Sequence, residues 1–248
     1  MILEIIFIFI LGISIGSFLN VIIFRIPKNE SIIFPSSHCS KCQVKLKTYH
    51  NIPILSWLFL KGKCSFCNSN ISIQYPIIEF ASGLMFISLY FKFGITQEFF
   101  LISAIFSTIL ALSVIDYKLK AVPDSLNLLA LTLAIIYPLE LNSILFNFNN
   151  ALIFAGAFAF LRFYVSYFLK KEAMGEGDII IAGTIGAMVG IPLGTLVIFL
   201  SAVLAIPIML FLKNEEAPFI PFLALALFLV VIFESTSITF LNNLQLIP

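Results

Sequence analysis

Charged residues are scarce in this chain, at 11% of 248 residues, where a soluble domain carries roughly 25%. Hydrophobic residues make up 60%, and they gather in long runs that a soluble protein could not bury. The composition therefore excludes an ordinary soluble domain and predicts that lipid surrounds most of the chain. The formal net charge is +1 and the basic residues lie in loops rather than in a basic domain, so that nothing indicates a nucleic-acid partner.

Histidine is nearly absent, since His38 and His50 are the only two. A zinc metalloprotease of the His-Glu-x-x-His type needs a motif that the chain lacks. A serine protease needs a histidine partner, and the membrane region has none. Both enzyme classes are therefore disfavoured. The favoured interpretation of both histidines is a polar loop residue without a special role, although His38 beside Cys39 could in principle bind a metal.

Eight apolar runs are long enough, or nearly so, to cross a bilayer as helices of roughly 20 residues. The run 179–191 is short and adjoins Pro192, so that a broken helix and a total of seven stay open. The first run lacks a preceding basic region, which predicts an uncleaved helix rather than a signal peptide. The predicted fold is an all-α polytopic membrane protein with about eight transmembrane helices, at 2–24, 77–93, 97–115, 125–141, 148–169, 179–191, 193–212 and 219–240.

Basic residues concentrate in alternate loops of this predicted fold. Of the 14 Lys and Arg residues, only Lys92 and Arg162 fall elsewhere. Because cytoplasmic loops collect Lys and Arg, we expect the N-terminus outside and the basic loops inside. The predicted cytoplasmic loops are 25–76, 116–124, 170–178 and 213–218.

The four cysteines all lie in the one sizeable polar segment, 25–76, as two C-x2-C pairs. Each such turn directs two thiolates toward one point, and two turns complete the tetrahedron of a structural zinc site. Two disulfides are the alternative, which a reducing cytoplasm disfavours. Gly62, just before the second pair, suits a tight turn. The segment is predicted to be a small cytoplasmic zinc-knuckle-like domain that holds Zn²⁺ through Cys39, Cys42, Cys64 and Cys67.

Two aspartates stand at the ends of apolar runs on the predicted cytoplasmic side: Asp116 closes one run and Asp178 opens another. Ionisable residues beside membrane segments are costly and are candidates for function. Two carboxylates that share a site cannot both ionise easily, so that one holds a proton near neutral pH. The ionised carboxylate can then activate water while the protonated one polarises a peptide carbonyl. The pair predicts peptide hydrolysis if the fold brings Asp116 and Asp178 together.

Two glycines, Gly175 and Gly177, precede Asp178 and flank Glu176. Glycine permits unusual backbone dihedrals and a close approach to a substrate strand. A simpler alternative is that the aspartates only cap or solvate helix ends. In that case Asp178 caps the helix that follows it.

Two further structural roles fit this simpler alternative, an ion pair and a second helix cap. Lys118 and Lys120 could form ion pairs with Asp116. Asp124 follows Pro123 and is predicted to be the N-cap of the next helix, although it also competes for the catalytic role.

The type IV prepilin peptidases, also called prepilin leader peptidases, resemble this chain nearly from end to end. A lone Gly-x-Gly-Asp is a weak signal, whereas many matching stretches in one order are specific. The sequence has Val122 where that family often has Ile, and Ala226 where it often has Gly. The matching stretches are Gly16–Pro27, the two C-x2-C pairs, Asn51–Leu58, Gln74–Glu79, Asp116 with Val122-Pro123-Asp124, Gly175–Asp178 and Ala217–Phe222.

The resemblance implies that Asp116 and Asp178 are the catalytic aspartates of a membrane endopeptidase. It implies that prepilin or pseudopilin precursors, of type IV pili or type II secretion, are cut after a glycine that ends a short basic leader. It also implies N-methylation of the new N-terminus with S-adenosylmethionine, an activity linked in that family to the cysteine segment. The sequence itself carries no glycine-rich signature for that methyl donor.

The implied organisation has a first transmembrane helix at 1–24, a four-cysteine domain at 25–76 and a membrane peptidase domain at 77–248. The implied location is the bacterial inner membrane. Glu172 and Glu176 are expected to meet the basic leader, and Gly175, Gly177 and Asp124 to support the substrate loop. Two other classes stay open, a proton- or ion-coupled transporter and a non-catalytic zinc-bearing scaffold of a secretion machine.

Overall fold

The computed structural model describes residues 2–170, 174–211 and 218–244, apart from the side chain of Phe211. In these ranges the regular structure is helical, and strand-like pairing is limited to two isolated bridges in the cysteine segment. The chain forms two compact units, Met1–Ile95 and Thr96–Pro248. This agrees with the predicted all-α class.

The first unit contains α1 (Ile2–Arg25), the short α2 (Leu55–Phe59) and α3 (Gln74–Phe93). Helices α1 and α3 pack together, and small residues allow their backbones to approach closely. A Cβ atom on Gly12 would lie 2.8 Å from the Cα of Gly83, and one on Gly16 would lie 2.7 Å from the Cα of Glu79. Since both spacings are too short for a side chain, this stripe of small residues determines the helix pair.

The second unit is a bundle in which one long helix, α7, packs mainly against three others and also contacts α9. It contacts α5, α6 and α8, and α4 contacts α5 and α8. The helices of this unit are α4 (Gln97–Leu119), α5 (Asp124–Ile136), α6 (Leu141–Leu169), α7 (Glu176–Phe211), α8 (Ile220–Ile232) and α9 (Glu234–Asn243).

Large apolar side chains cover the outside of the helices. On α6, Phe160, Phe163 and Tyr167 are 71%, 76% and 79% exposed, which water would not tolerate on this scale. Five helices in the described ranges are long and apolar enough to cross a membrane, or six if α8 and α9 together form one bent span. The structure therefore supports a polytopic membrane protein.

Helix α7 is interrupted at Gly190, whose φ of 71° and ψ of −175° are not helical. An unbroken helix of its 36 residues would be about 54 Å long, whereas a hydrocarbon core is roughly 30 Å thick. The two segments predicted at 179–191 and 193–212 meet at this break. Pro192 lies two residues after Gly190, in the first turn of the restarted helix, where proline is tolerated.

Two predicted helices differ from the observed ones. The run 219–240 was expected as one helix, but α8 and α9 are bent by 91° at Phe233. The run 125–141 ends as a helix at Ile136, and Pro138 stops its continuation. Helix α5, with 13 residues, is short for a full crossing of about 20 residues. A total of eight spans therefore stays a prediction.

Candidate active site and metal centre

Asp116 lies in the last turn of α4 and is buried, with 8% of its surface exposed. Its Oδ2 accepts the backbone N–H of Ile220 at 3.2 Å, and the N–H of Phe219 also donates to this carboxylate. Those two groups form the N-terminus of α8, whose first N–H groups have no partner within the helix. The N-terminus of α8 therefore holds the carboxylate, and among the described residues neither Lys118 nor Lys120 forms an ion pair with it.

Asp178 lies in the first turn of α7 and is partly buried. Its carboxylate accepts the backbone N–H of Gly175, the residue before the helix. A side chain in this position that reaches back to the helix start is half of a capping box. Asp178 therefore does cap the start of α7, as the simpler interpretation expected, and this role is compatible with a catalytic one.

The fold brings Asp116 and Asp178 together within the second unit. The two carboxylates are close enough for the charge of Asp116 to act on Asp178. One comes from the end of α4 and the other from the start of α7, so that no local sequence relation dictates their approach. Two carboxylates near each other at the ends of apolar helices suit peptide hydrolysis by an aspartate pair.

Gly177 is needed for space rather than for an unusual dihedral angle. Neither Gly175 nor Gly177 has a positive φ. A Cβ on Gly177 would lie only 2.2 Å from Cγ2 of Val122, whereas one on Gly175 would meet nothing closer than Asp178 Oδ2 at 3.5 Å. Neither glycine therefore has the unusual φ that the sequence argument expected. The close approach at Gly177 is to Val122 of the protein itself, and an approach to a substrate strand stays a prediction.

Asn127 is a site residue that the sequence argument missed. It lies on α5 with 0% of its surface exposed, and its Nδ2 donates to the Gly177 carbonyl at 3.0 Å. The sequence did contain a signal for Asn127, because a polar amide inside an apolar helix costs free energy unless it forms a hydrogen bond. The N-terminus of α8 was missed as well. It belongs to the stretch Ala217–Phe222, which matched the family but had been given no role.

Asp124 and Glu176 have surroundings other than those expected. Pro123, not Asp124, occupies the N-cap position of α5, so that the predicted cap is wrong by one residue. Asp124 is exposed in the first helical turn, where an acidic residue suits the helix dipole. Glu176 is exposed and pairs with Arg162 at 3.1 Å. Glu172 lies outside the described residues, as does Ala217.

The cysteine segment forms two turns with the same backbone pattern. In the first, the N–H of Gln43 donates to the Cys39 carbonyl at 2.9 Å, and in the second, Asn68 donates to Cys64 at 2.9 Å. Gln43 and Asn68 have positive φ values, 59° and 55°. Gly62 also has a positive φ, 67°, which agrees with the predicted turn. Each C-x2-C pair is thus presented by an equivalent knuckle.

The four sulfur atoms converge on one point. All lie within 4.8 Å of one another, and Cys39 Sγ is 3.8 Å from Cys67 Sγ. Four ligands at a Zn–S distance of 2.3 Å in a tetrahedron are separated by roughly 3.8 Å. None of the four cysteines forms a disulfide. The residues present therefore fit a tetrahedral metal ion, and the group contains neither histidine.

Hydrogen-bond donors favour the thiolate form at two of the four cysteines, Cys39 and Cys67. The N–H groups of Cys42 and Lys41 point at the sulfur of Cys39 and lower the pKa of that thiol to about 6. Hydrogen bonding by Ser69 likewise lowers the pKa of the Cys67 thiol. Burial and hydrogen bonding to Cys67 and Cys39 instead raise the pKa of the Cys42 thiol to about 11. Two of the thiols therefore favour the thiolate, which is the form that binds a metal.

A buried carboxylate fixes the loop between the two knuckles. Glu79 on α3 is 6% exposed, and its Oε2 accepts the backbone N–H of Ile54 at 2.6 Å. Ile54 has a φ of 61° and a ψ of −53°, a conformation that a β-branched residue rarely adopts. The stretches Asn51–Leu58 and Gln74–Glu79, matched separately in the sequence, therefore meet in one contact.

Comparison with known families gives two matches that divide the chain as its compact units do. The sequence model of the bacterial peptidase A24 N-terminal domain matches residues 10–93, and that of the type IV leader peptidase family matches residues 102–210. Asp116 and Asp178 both lie in the second match, and the four cysteines lie in the first.

Curated relatives match over most of the chain. A prepilin leader peptidase/N-methyltransferase of Stutzerimonas stutzeri is 32% identical over 253 residues, which cover 88% of this chain and 86% of that protein. One of Pseudomonas putida is 28% identical and covers 96% and 93%. One of Myxococcus xanthus is 36% identical over 73% of this chain, and the match spans 55% of that longer protein. No solved structure matches the chain.

Proposed function

Because the chain belongs to the type IV leader peptidase family, we propose that it is a membrane aspartic endopeptidase that removes the basic leader of prepilin and pseudopilin precursors. The approach of Asp116 and Asp178 within one unit carries this proposal. The name of these relatives, prepilin leader peptidase/N-methyltransferase, supports a second activity, N-methylation of the new N-terminus with S-adenosylmethionine as donor. The cleavage site is the bond after a glycine at the boundary between the leader and the apolar stem.

The aspartates are proposed to share one proton. The ionised carboxylate takes a proton from water, and the resulting hydroxide adds to the scissile carbonyl, which the protonated carboxyl polarises. Collapse of this adduct breaks the C–N bond and returns a proton to the leaving amine. The N–H groups of Phe219 and Ile220 hold Asp116, and Gly175 holds Asp178, so that both carboxylates are oriented before substrate binds.

The site is proposed to lie at the cytoplasmic edge of the bacterial inner membrane, with the N-terminus outside. The basic loops support this orientation. A prepilin presents a basic leader to the cytoplasm and an apolar stem to the lipid, so that its scissile bond reaches the aspartates at the same boundary. Glu176 is proposed to meet the leader, and the apolar stem packs against the helices of the enzyme.

The four cysteines are proposed to hold a structural Zn²⁺ that fixes the segment between α1 and α3. A closed shell of four thiolates gives the ion no open position for substrate. Its chemistry is therefore structural, and it stabilises the two knuckles. No step of peptide cleavage is assigned to it.

Cleavage in membranes tests the proposed function. We expect purified protein in lipid to convert a prepilin into a shorter product cut after the glycine, followed by a mass gain of one methyl group when S-adenosylmethionine is present. Mass spectrometry separates the two events. A precursor with its glycine replaced by a bulky residue is the matched control and should stay intact. An uncut wild-type precursor in the presence of folded enzyme would contradict the proposal.

The packing of Gly177 against Val122 gives a second test. We expect Gly177→Ala to lower the cleavage rate by about 100-fold, because the added Cβ must push the neighbouring Asp178 out of position. Val122→Ala alone should have a small effect, and it should restore part of the rate when it is combined with Gly177→Ala.

Gly156→Ala, on α6, is the control for this pair of substitutions, since its Cβ would meet nothing within 4 Å. Its rate should stay within about threefold of wild type. Rates are measured per folded chain, with folding checked by size-exclusion chromatography. Equal losses at both glycines, or no rescue by Val122→Ala, would show that crowding at Gly177 does not position Asp178.

A further inference from the structure

Asn127 has an unusual environment for a buried amide. It is fully enclosed on α5, and its Nδ2 donates to the Gly177 carbonyl at 3.0 Å, while its Oδ1 is buried without a partner among the described residues. Turning the amide over would offer Oδ1 to a carbonyl oxygen and lose the bond that it has. The side chain therefore has one bonded partner, and that partner is the residue before Asp178.

The Gly177 carbonyl belongs to the peptide group that joins Gly177 to Asp178. The Asn127 amide bonds this carbonyl, and Val122 leaves no room for movement of Gly177 toward it. On the other side, the Gly175 N–H holds the Asp178 carboxylate. One hydrogen bond between side chain and backbone therefore joins α5 to the peptide group of Asp178, in addition to the packing of the two helices.

We propose that Asn127 is a positioning residue for the peptidase reaction, which holds Asp178 at the distance from Asp116 that catalysis needs. This inference rests on the proposed function and deepens it. Asn127 acts through the Gly177 carbonyl and touches no reacting atom. The competing view is that Asn127 merely joins α5 to α7 and contributes to stability.

Asn147 provides a matched control for that view. It is also a buried asparagine of the same unit, 8% exposed. Its Nδ2 donates to the carbonyls of Tyr137 and Ile135, at the C-terminal end of α5. It therefore has the same chemistry and a similar burial, but it bonds the end of the helix that lies away from Asp124 and Gly177.

The experiment measures kcat and KM for prepilin cleavage, together with the thermal midpoint, for wild type, Asn127→Leu and Asn147→Leu in lipid. We expect Asn127→Leu to lower kcat by about 10- to 100-fold with KM within about twofold, because misplaced reacting groups slow chemistry more than binding. Asn147→Leu should lower the thermal midpoint and leave kcat per folded chain within about twofold.

Asn127→Asp gives a second readout, the pH dependence of kcat relative to wild type, which should not change if Asn127 has only a structural role. An ionised carboxylate cannot donate to the Gly177 carbonyl, whereas a protonated carboxyl can. The kcat of this variant, divided by that of wild type at the same pH, should therefore rise as the pH falls, and the same ratio for Asn127→Leu should stay flat. Division by the wild-type value removes the titration that the variants share with wild type, including that of Asp116 and Asp178 and of Asp124, which lies three residues before Asn127 on α5.

Two outcomes overturn the inference: a wild-type kcat in Asn127→Leu, or proportional losses of kcat in the Asn127 and Asn147 variants. If Asn127→Leu does not fold, the pH ratio of Asn127→Asp decides, and a flat ratio overturns it. Asp178→Asn, assayed alongside, separates this result from the proposed function. If Asp178→Asn still cleaves, the aspartate site itself is wrong; if it is inactive and Asn127→Leu is normal, only the role of Asn127 fails.

Discussion

Asp116→Asn and Asp178→Asn are each expected to lower prepilin cleavage by at least about a thousandfold while the protein still folds. Asparagine keeps the shape of aspartate, and its side-chain oxygen can still accept the N–H of Ile220 or of Gly175. It can neither take a proton from water nor hold the shared proton. Because the two carboxylates act as one unit, the double variant should be little worse than either single one.

The measurement is cleavage in membranes at matched protein levels, followed by mass spectrometry of the product. Glu98→Gln is the control, because this carboxylate is exposed in the first turn of α4, at the opposite end of the helix from Asp116. Its rate should equal that of wild type. Normal cleavage by either aspartate variant would make that residue structural, and Asp124→Asn would then be the next variant to assay.

Cys64→Ser is expected to abolish metal binding, with close to one zinc per chain in purified wild type and almost none in the variant. Cys64 is the most buried of the four cysteines, with 3% of its surface exposed, and serine is a poor ligand for zinc. Apparent binding free energies of structural zinc reach about 10 to 16 kcal/mol in small domains, so that the two knuckles should lose their order with the ion. Metal analysis and proteolysis of the segment 25–76 measure both effects.

His38→Ala is the matched control for the metal centre. His38 bonds the Ser36 carbonyl at 3.0 Å through Nδ1 and lies outside the group of converging sulfur atoms, so that its removal should leave the zinc content unchanged. Peptide cleavage by Cys64→Ser should persist per folded chain, because the aspartate pair belongs to the other compact unit. Full zinc content in Cys64→Ser, or a disulfide in the wild type, would contradict the metal centre.

The sequence was most informative where chemistry depends on a short local pattern. The C-x2-C pairs predict convergent thiols because each pair is one turn, and the structure agrees down to the repeated backbone bonds. Asp116 and Asp178 stand out because a carboxylate at the end of an apolar run costs free energy, which a functional role would explain. In each case the signal lies within a few residues of the group that it identifies.

Helix ends were less predictable. Composition placed α1, α3 and α4 within a few residues, because long apolar runs determine them. The bend at Phe233 was missed, since the apolar run continues to that residue and α9 then follows with polar residues that a span tolerates near its end. The break at Gly190 was located within two residues, because Pro192 marks the boundary between the two predicted segments.

The sequence by itself determined that lipid surrounds most of the chain, that the fold is helical, that the four cysteines cluster and that two aspartates are candidates for function. Composition and short spacings suffice for these conclusions because each depends only on residues close together in the chain. Only the tertiary structure decided what surrounds those groups. The Asp116 carboxylate meets the N-terminus of α8, Asn127 meets the Gly177 carbonyl, and Glu79 meets Ile54, and each contact joins residues far apart in the chain. Such contacts depend on which helix faces pack together, a choice made by close-packed surfaces such as Gly12 against Gly83 and Gly177 against Val122 rather than by any local preference.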